Sequence, residues 1–476
     1  MKLPSKDRPF YLGLAVLFVL SRLAAWVAGV RFDATPLATA WQLLDPHLLE
    51  TDLLRSLFYL HAQPPLFNAF VGFVLKLTPG SPEPFFQGLY HLAGLVVLWA
   101  EFFLLRQLGV GPRLAAAAAG LLVVQPAFIL YESWLTYDLP VTAMLVLAAT
   151  ALTQLSKAEN TQHGSVAFLA LLTTVCLTRS LFHPLYFVTI CGVLTWQLSR
   201  WQGQLKLGQR FLASALVALA LVLSVPVKNL VLFSTPATSS WLGMNLWRIA
   251  STELTPEAAA ALQAEGKLSQ AATIKAFSPL PDYSGVLQVL PQYPDVPAVA
   301  APKDSAGGNN YNHEAYIAIA ALYQEDALWI LRNRPKDYVL GVAKAVYYYL
   351  TPPSLILQVE ENRRTFGAYA NVVEGFLYGR LPGVVSYGAN DRPIFLFSTL
   401  GIPLLLVAGL WLAYRHRQDP GLGPALAFMA LTALYVAVVG NTLEVLENSR
   451  FRFYTDPFLV AFAALALRDA LRRLSR

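Results

Sequence analysis

Apolar positions in this chain run in blocks rather than in stripes. Ten stretches, near 10–30, 85–105, 114–131, 139–155, 164–180, 181–198, 211–227, 394–414, 422–440 and 455–470, are almost continuously apolar. A helix needs roughly 20 residues to cross about 30 Å of hydrocarbon. The pattern therefore predicts an all-α polytopic membrane protein with about ten transmembrane helices. The first run carries Arg22 and Trp26 and shows no clear small-x-small site before Arg31, so it reads as an uncleaved span. Two further apolar segments do not read as spans. HAQPPLFNAFVGFVLKL at 61–77 is short, contains Gln63-Pro64-Pro65 and ends in Lys76 and Leu77. KDYVLGVAKAVYYYLTPPSLILQVE at 336–360 has Lys344 in mid-run and Pro352-Pro353 after it. Both are expected to lie in the membrane interface. The chain then divides into an N-terminal membrane module (1–227) with a first loop at 31–84, a middle region of 166 residues (228–393), and a C-terminal membrane module (394–476). The middle region is rich in Pro, Tyr and charge and is expected to be a small α-rich external domain. Within it 281–302 reads as an extended loop.

Composition supports lipid as the main solvent. Only 13% of the 476 residues are charged and 56% are apolar, against about 25% charged in soluble proteins. The net charge of +6 acquires meaning from its placement. Segments 1–9, 106–113, 156–163, 199–210, 415–421 and 468–476 hold 15 Lys and Arg in 53 residues, whereas 31–84, 131–138, 179–184 and 441–454 hold 6 in 82. That fourfold bias puts the first set and both termini in the cytosol, and points to a plasma or bacterial inner membrane. It also accounts for the basic balance without a nucleic-acid partner. Cys176 and Cys191 lie in apolar runs and read as buried packing residues. No HExxH, CxxC or Walker pattern is present.

Carboxylates near the bilayer are costly and so mark candidate chemistry. Asp33 stands at the outer mouth of the first span with no capping role evident. Asp45 precedes Pro46 and reads as the N-cap of a helix over 46–60. The turn YESWLTYDLP adds Glu132 and Asp138 on the same side, Asp138 being also a plausible N-cap. Two acidic loops over one cavity suit general-base work on a hydroxyl, or a divalent metal. Cationic partners are Lys228 at the end of the seventh span, Arg248, and Arg450 and Arg452 in LEVLENSRFRFYTDP, next to Tyr454. Arg450 and Arg452, two apart in an extended loop, would face one ligand together; as an alternative they anchor the helix at the interface. Arg179 and His183 could join the same pocket or snorkel. His313 and Glu314 are isolated.

In order and position these residues resemble the glycosyltransferase-C superfamily, integral membrane transferases that use polyprenyl-phosphate sugars. The elements are Asp33 after the first span, an interfacial helix opened by His61, Gln63, Pro64, Pro65 and Leu66, the Tyr131–Asp138 turn, and Glu447, Arg450, Arg452 and Pro457 in a late loop. Asp33 is followed by Ala34, where protein O-mannosyltransferases carry an Asp-Glu pair. The resemblance implies transfer of one sugar from a lipid-phosphate donor to a hydroxyl of a lipid, glycan or protein acceptor on the outer face, with inversion. It assigns Asp33 as general base, Asp138 and Glu132 as further catalytic acids, and Asp45, His61, Gln63, Lys228, Arg248, Arg450, Arg452 and Tyr454 as substrate contacts. No cofactor is firmly implied by it, and a divalent metal stays open. A transporter or flippase of a lipid-linked sugar, or a non-catalytic assembly protein, stands as the alternative; the absence of internal repeats weighs against a transporter.

Overall fold

The computed structural model describes residues 5–155, 161–201, 203–287, 290–387 and 390–475. Residues 1–4, 156–160, 202 and 476 of the segments assigned to the cytosol, and 288–289 of the 281–302 loop, lie outside these. Each of the ten apolar runs coincides with a helix. Five are long and apolar enough to cross a membrane: Arg8–Val27, Glu83–Gln107, Leu205–Phe233, Leu396–Arg415 and Gly423–Leu443. Pro112–Val124 and Pro126–Glu132, bent by 60°, form a sixth if they make one span. The chain is thus an integral membrane protein with five to six such helices. The other runs form Asp138–Leu152, Thr161–Thr178, Pro184–Trp196 and Asp456–Leu474. Asp138–Leu152 and Pro184–Trp196, at 15 and 13 residues, are shorter than the roughly 20 residues a span needs, and the last helix ends among Arg468, Asp469, Arg472 and Arg473.

Burial shows which faces meet lipid. The first helix turns Tyr11, Leu14 and Phe18 inward and leaves Leu12, Val16, Val19, Leu23 and Val27 exposed. Apolar residues on the outside of a helix are stable only against another apolar phase. Gly423–Leu443, by contrast, is buried over most of its length.

The first loop folds as short helices, Pro46–Thr51 and Leu53–Phe58, broken at Asp52, followed by Leu66–Leu77. Asp45 accepts a hydrogen bond from His47 N at 2.9 Å, the capping role read from Pro46. The middle region packs Leu242–Ala250 between Ala315–Asn333 and Pro335–Leu350. It departs from the all-helical expectation in one place: Arg380–Tyr387 pairs antiparallel with Asn390–Phe395, Leu381 opposite Ile394 and Val385 opposite Arg392.

A buried ion pair ties the first helix to the bent one. Arg22 Nε donates to Glu132 Oε1 at 3.0 Å, Arg22 Nη2 lies 2.5 Å from Glu132 Oε2, and His91 Nδ1 lies 2.5 Å from Oε1. Glu132 is buried. Gly94 gives it room, because a Cβ there would sit 2.9 Å from Glu132 Cδ and 3.2 Å from Phe18. Gly94→Ala is therefore expected to destabilise the protein by about 1–3 kcal/mol, the usual cost of overpacking. Gly88→Ala in the same helix meets open space and should be neutral or stabilising by up to about 1 kcal/mol. Thermal unfolding in detergent measures both; equal shifts would contradict the clasp.

Candidate functional site

The site is built where two distant loops meet. Asp33 N donates to Ser133 O at 2.8 Å and Leu135 N donates to Asp33 O at 3.0 Å, a parallel bridge between Asp33 and Trp134. Three residues on, Asp138 opens its helix rather than capping it; Tyr137 is the N-cap. The Asp138 carboxylate is fully buried and fully used. Oδ2 accepts from Arg450 Nε at 2.9 Å and from Thr136 Oγ1 at 2.6 Å, and Oδ1 accepts from Tyr454 OH at 2.6 Å. Asp138 therefore acts as an anchor for the late loop. Glu132 has both oxygens bound by Arg22 and His91. Asp33 differs: Oδ1 accepts from Thr35 N at 2.9 Å and Thr35 Oγ1 at 2.6 Å. Against the expectation of no capping role, Asp33 thus closes a local turn onto Thr35. Its Oδ2 has no hydrogen-bond partner among the described residues.

Arg450 is held on three sides. Besides Asp138, its Nη1 donates to Glu447 Oε2 at 2.9 Å, and the guanidinium lies 5.0 Å from the Trp134 ring and 5.2 Å from the Tyr137 ring. Its Nη2 has no partner among the described residues. It helps line a small polar chamber with Arg179, Arg248, Glu444, Glu447, Gln63, Ser180, Asn245, Trp41, Gln42, Trp241 and Phe277. Arg179 is buried, donates through Nη1 to Tyr137 OH, and has its Nε unpartnered. Arg248 lies 3.9 Å from Glu444. Burial opposes ionisation of Glu447, but Arg450, the hydrogen bond it donates, and Arg248 outweigh this and hold the carboxyl below its usual range. Burial raises Glu444 above that range, against the pull of Arg179 and Arg248.

Against the chamber lies an apolar groove of about 340 Å³, lined by Leu181, Leu185, Leu242, Tyr435, Val439, Leu443 and Phe451. The two cavities share Arg179, Ser180, Asn245 and Glu444. Leu185 and Leu242 are exposed at the groove.

Other expected contacts lie elsewhere. Arg452 turns away from Arg450, because Asn448–Phe453 is a helix and not an extended loop. At about 100° per residue, neighbours two apart point to opposite sides. Arg452 Nε donates to Asp456 Oδ1 at 3.1 Å and Nη1 to Tyr349 O, over the Tyr378 ring. Lys228 Nζ donates to Leu60 O at 2.5 Å, and Asp45 also accepts from Ser305 N at 2.9 Å; neither lines the chamber, and Asp33 does not line it either but is joined to it through its backbone bridge to Trp134, whose ring lies beside Arg450. His61 is buried against Ser240 Oγ at 2.8 Å, and burial, then Lys228, push its pKa down to about 3. It holds the chain that presents Gln63, whose Oε1 accepts from Ser180 Oγ at 3.2 Å. Tyr454 reaches the site only through Asp138. Glu444 and Asn245 carried no local sequence signal. Glu132 carried one, since Arg22 within a span requires a counter-charge.

A divalent cation needs several convergent oxygen donors. Among the described residues no three His, Cys, Asp or Glu side chains converge, and Glu447 in the chamber is bound to Arg450. Among the described residues the chamber offers no such set of donors.

The chain matches no protein family and no curated protein. Among solved structures it is similar to the oligosaccharyltransferase of Archaeoglobus fulgidus, crystallised with a tethered acceptor peptide, at 12% identity and a TM-score of 0.40 over 97% of this chain. It spans half the length of that protein. It is also similar to ArnT from Cupriavidus metallidurans, crystallised with undecaprenyl phosphate, at 13% identity and a TM-score of 0.36, covering 96% of this chain and 78% of that one. Both are glycosyltransferase-C superfamily members. The likeness lies in the path of the chain, and no residue of the site is assigned from it.

If the Asp138–Arg450 pair is the clasp of the site, Arg450→Ala should destabilise the protein by about 3–5 kcal/mol, the cost of leaving a buried charge unpaired. Adding Asp138→Asn should recover part of that loss, giving a coupling above about 1 kcal/mol in a double-mutant cycle. Unfolding in detergent measures it; strict additivity would contradict the clasp.

Proposed function

We propose that this protein is an inverting membrane glycosyltransferase that moves a sugar from a polyprenyl-phosphate donor to a hydroxyl acceptor on the outer face of the membrane. The observation that carries this reading is the apolar groove set against the arginine-lined chamber. A lipid phosphate has that same division, a hydrocarbon chain joined to an anion, and the shared Arg179 stands at the join. The ten-helix topology with both termini cytosolic is part of this proposal, as is the interfacial placement of 61–77 and 336–360. It sets the groove and chamber at outer head-group depth, with 228–393 as an external region over them.

In the proposed reaction the phosphate sits among Arg450, Arg179 and Arg248. Arg450 Nη2 and Arg179 Nε have no partner among the described residues, and charge-assisted hydrogen bonds from guanidinium to phosphate are the stronger kind. The acceptor hydroxyl oxygen attacks the anomeric carbon from the face opposite the phosphate. The carbon–oxygen bond to phosphate breaks, its electron pair leaves with the phosphate, and the arginines hold the added charge. The hydroxyl proton goes to Asp33 Oδ2. Of the three acids named from sequence, Asp33 alone keeps an oxygen free, while Thr35 fixes the other. Gln63, Trp41 and Trp241 line the chamber, whose volume of about 50 Å³ has to widen to admit a sugar.

Asp33→Asn retains the Thr35 contacts but cannot take a proton. Transfer of radiolabelled sugar from a synthetic polyprenyl-phosphate donor by purified protein should fall by more than about 10²-fold, the usual contribution of a general base, with unfolding temperature and donor binding unchanged. Wild-type turnover in this variant would remove Asp33 from the mechanism. Donor binding without any transfer by the wild-type protein would instead favour a flippase.

A further inference from the structure

At the opposite end of the helices from the chamber lies a cavity that the reaction does not use. It measures about 610 Å³ and is lined by Gly111, Pro112, Arg113, Leu114, Arg468, Leu471, Arg472 and Ser475. Its walls come from the start of Pro112–Val124 and the end of Asp456–Leu474. The second helix is divided lengthwise there. Leu467, Leu471 and Leu474, at i, i+4 and i+7, form an exposed apolar stripe. Arg468 and Arg472, at i and i+4, form a basic stripe beside it.

The three arginines are not equally committed. Arg468 Nη1 donates to Leu108 O at 2.7 Å and its Nε to Asp469 Oδ1 at 2.8 Å, so it is fixed in the wall. Arg113 and Arg472 have no ion-pair or side-chain hydrogen-bond partner among the described residues. Asp469 is the acid beside them, already engaged by Arg468 and 3.8 Å from Arg415. The cavity therefore offers two free guanidiniums and one fixed one, next to leucines that face lipid.

We propose that this cavity binds the head group of an anionic phospholipid of the bilayer, with Arg113 and Arg472 on the phosphodiester and the acyl chains along Leu467 and Leu471. Charge complementarity selects an anion. The neighbouring apolar stripe selects one that carries hydrocarbon, which a free phosphate does not. The site lies at the membrane end that holds the excess of Lys and Arg, where anionic lipids supply a negative surface. This inference shares the side assignment of the proposed topology but does not rest on glycosyl transfer.

The test uses full-length protein in nanodiscs of phosphatidylcholine with a minor share of phosphatidylglycerol, reading the lipid retained on transfer to detergent by native mass spectrometry. Wild-type protein should retain phosphatidylglycerol in preference to phosphatidylcholine. Arg113→Gln with Arg472→Gln should cut that preference by roughly fivefold per arginine, about 25-fold together. Arg200→Gln with Arg210→Gln, basic positions outside the cavity assigned to the same side, should leave it unchanged. Equal losses in both pairs would reduce the effect to general surface charge and overturn the site. Displacement of the lipid by millimolar inorganic phosphate would overturn it too, as a free-anion site. Unfolding temperature separates a misfolded variant, and Arg113→Lys with Arg472→Lys, keeping charge, should retain more than half of the wild-type preference; a loss as large as with Gln would contradict the charge argument.

Discussion

The buried pair between Asp138 and Arg450 organises this molecule. Two ions removed from water are favourable together only when their remaining hydrogen-bonding capacity is met. Here Thr136, Tyr454 and Glu447 meet all of it except Arg450 Nη2, the one donor left over for the chamber. The pair joins positions 312 apart in sequence, drawing the late helix Asn448–Phe453 onto the loop before Asp138–Leu152. The Asp33–Trp134 bridge then brings the first loop to the same place. Arg450 can point its free nitrogen into the chamber because its other two are held, and the aromatic rings of Trp134 and Tyr137 confine it further.

A second consequence concerns the division of labour among acids. Asp138 and Glu132 are saturated by buried cations, one under the chamber and one in the membrane module. Asp33 sits on a loop, partly exposed, oriented by Thr35 through one oxygen only. An anchor has to be buried and saturated, whereas a base has to keep an open oxygen. The three acids sort by that criterion without reference to any other protein.

The helices and the first-loop cap were legible in the sequence because they rest on local rules: apolar runs of span length, and an Asp before Pro46. The partners of the charges were not. That Asp138 would bind Arg450, or that Glu132 would bind Arg22, depends on packing between segments more than 100 residues apart. NSRFRF alternates charge with aromatics as a strand does, a pattern that points Arg450 and Arg452 at one ligand. The loop folds as one helical turn and more, and that reverses the direction of Arg452. Arg179 was legible as a candidate, but not its position between the groove and the chamber, and Glu444 and Asn245 became visible only once the cavities were.

On this reading the groove takes a polyprenyl chain and the chamber its phosphate. A polyprenyl phosphate carrying a photoreactive group near the middle of its chain tests this most directly, with the crosslinked peptides read by mass spectrometry. Groove residues such as Leu185, Val439 and Leu443 should be labelled, and the labelling should be abolished by an excess of undecaprenyl phosphate and weakened by Arg450→Lys. Labelling confined to other lipid-facing helices, or insensitive to competitor, would contradict it.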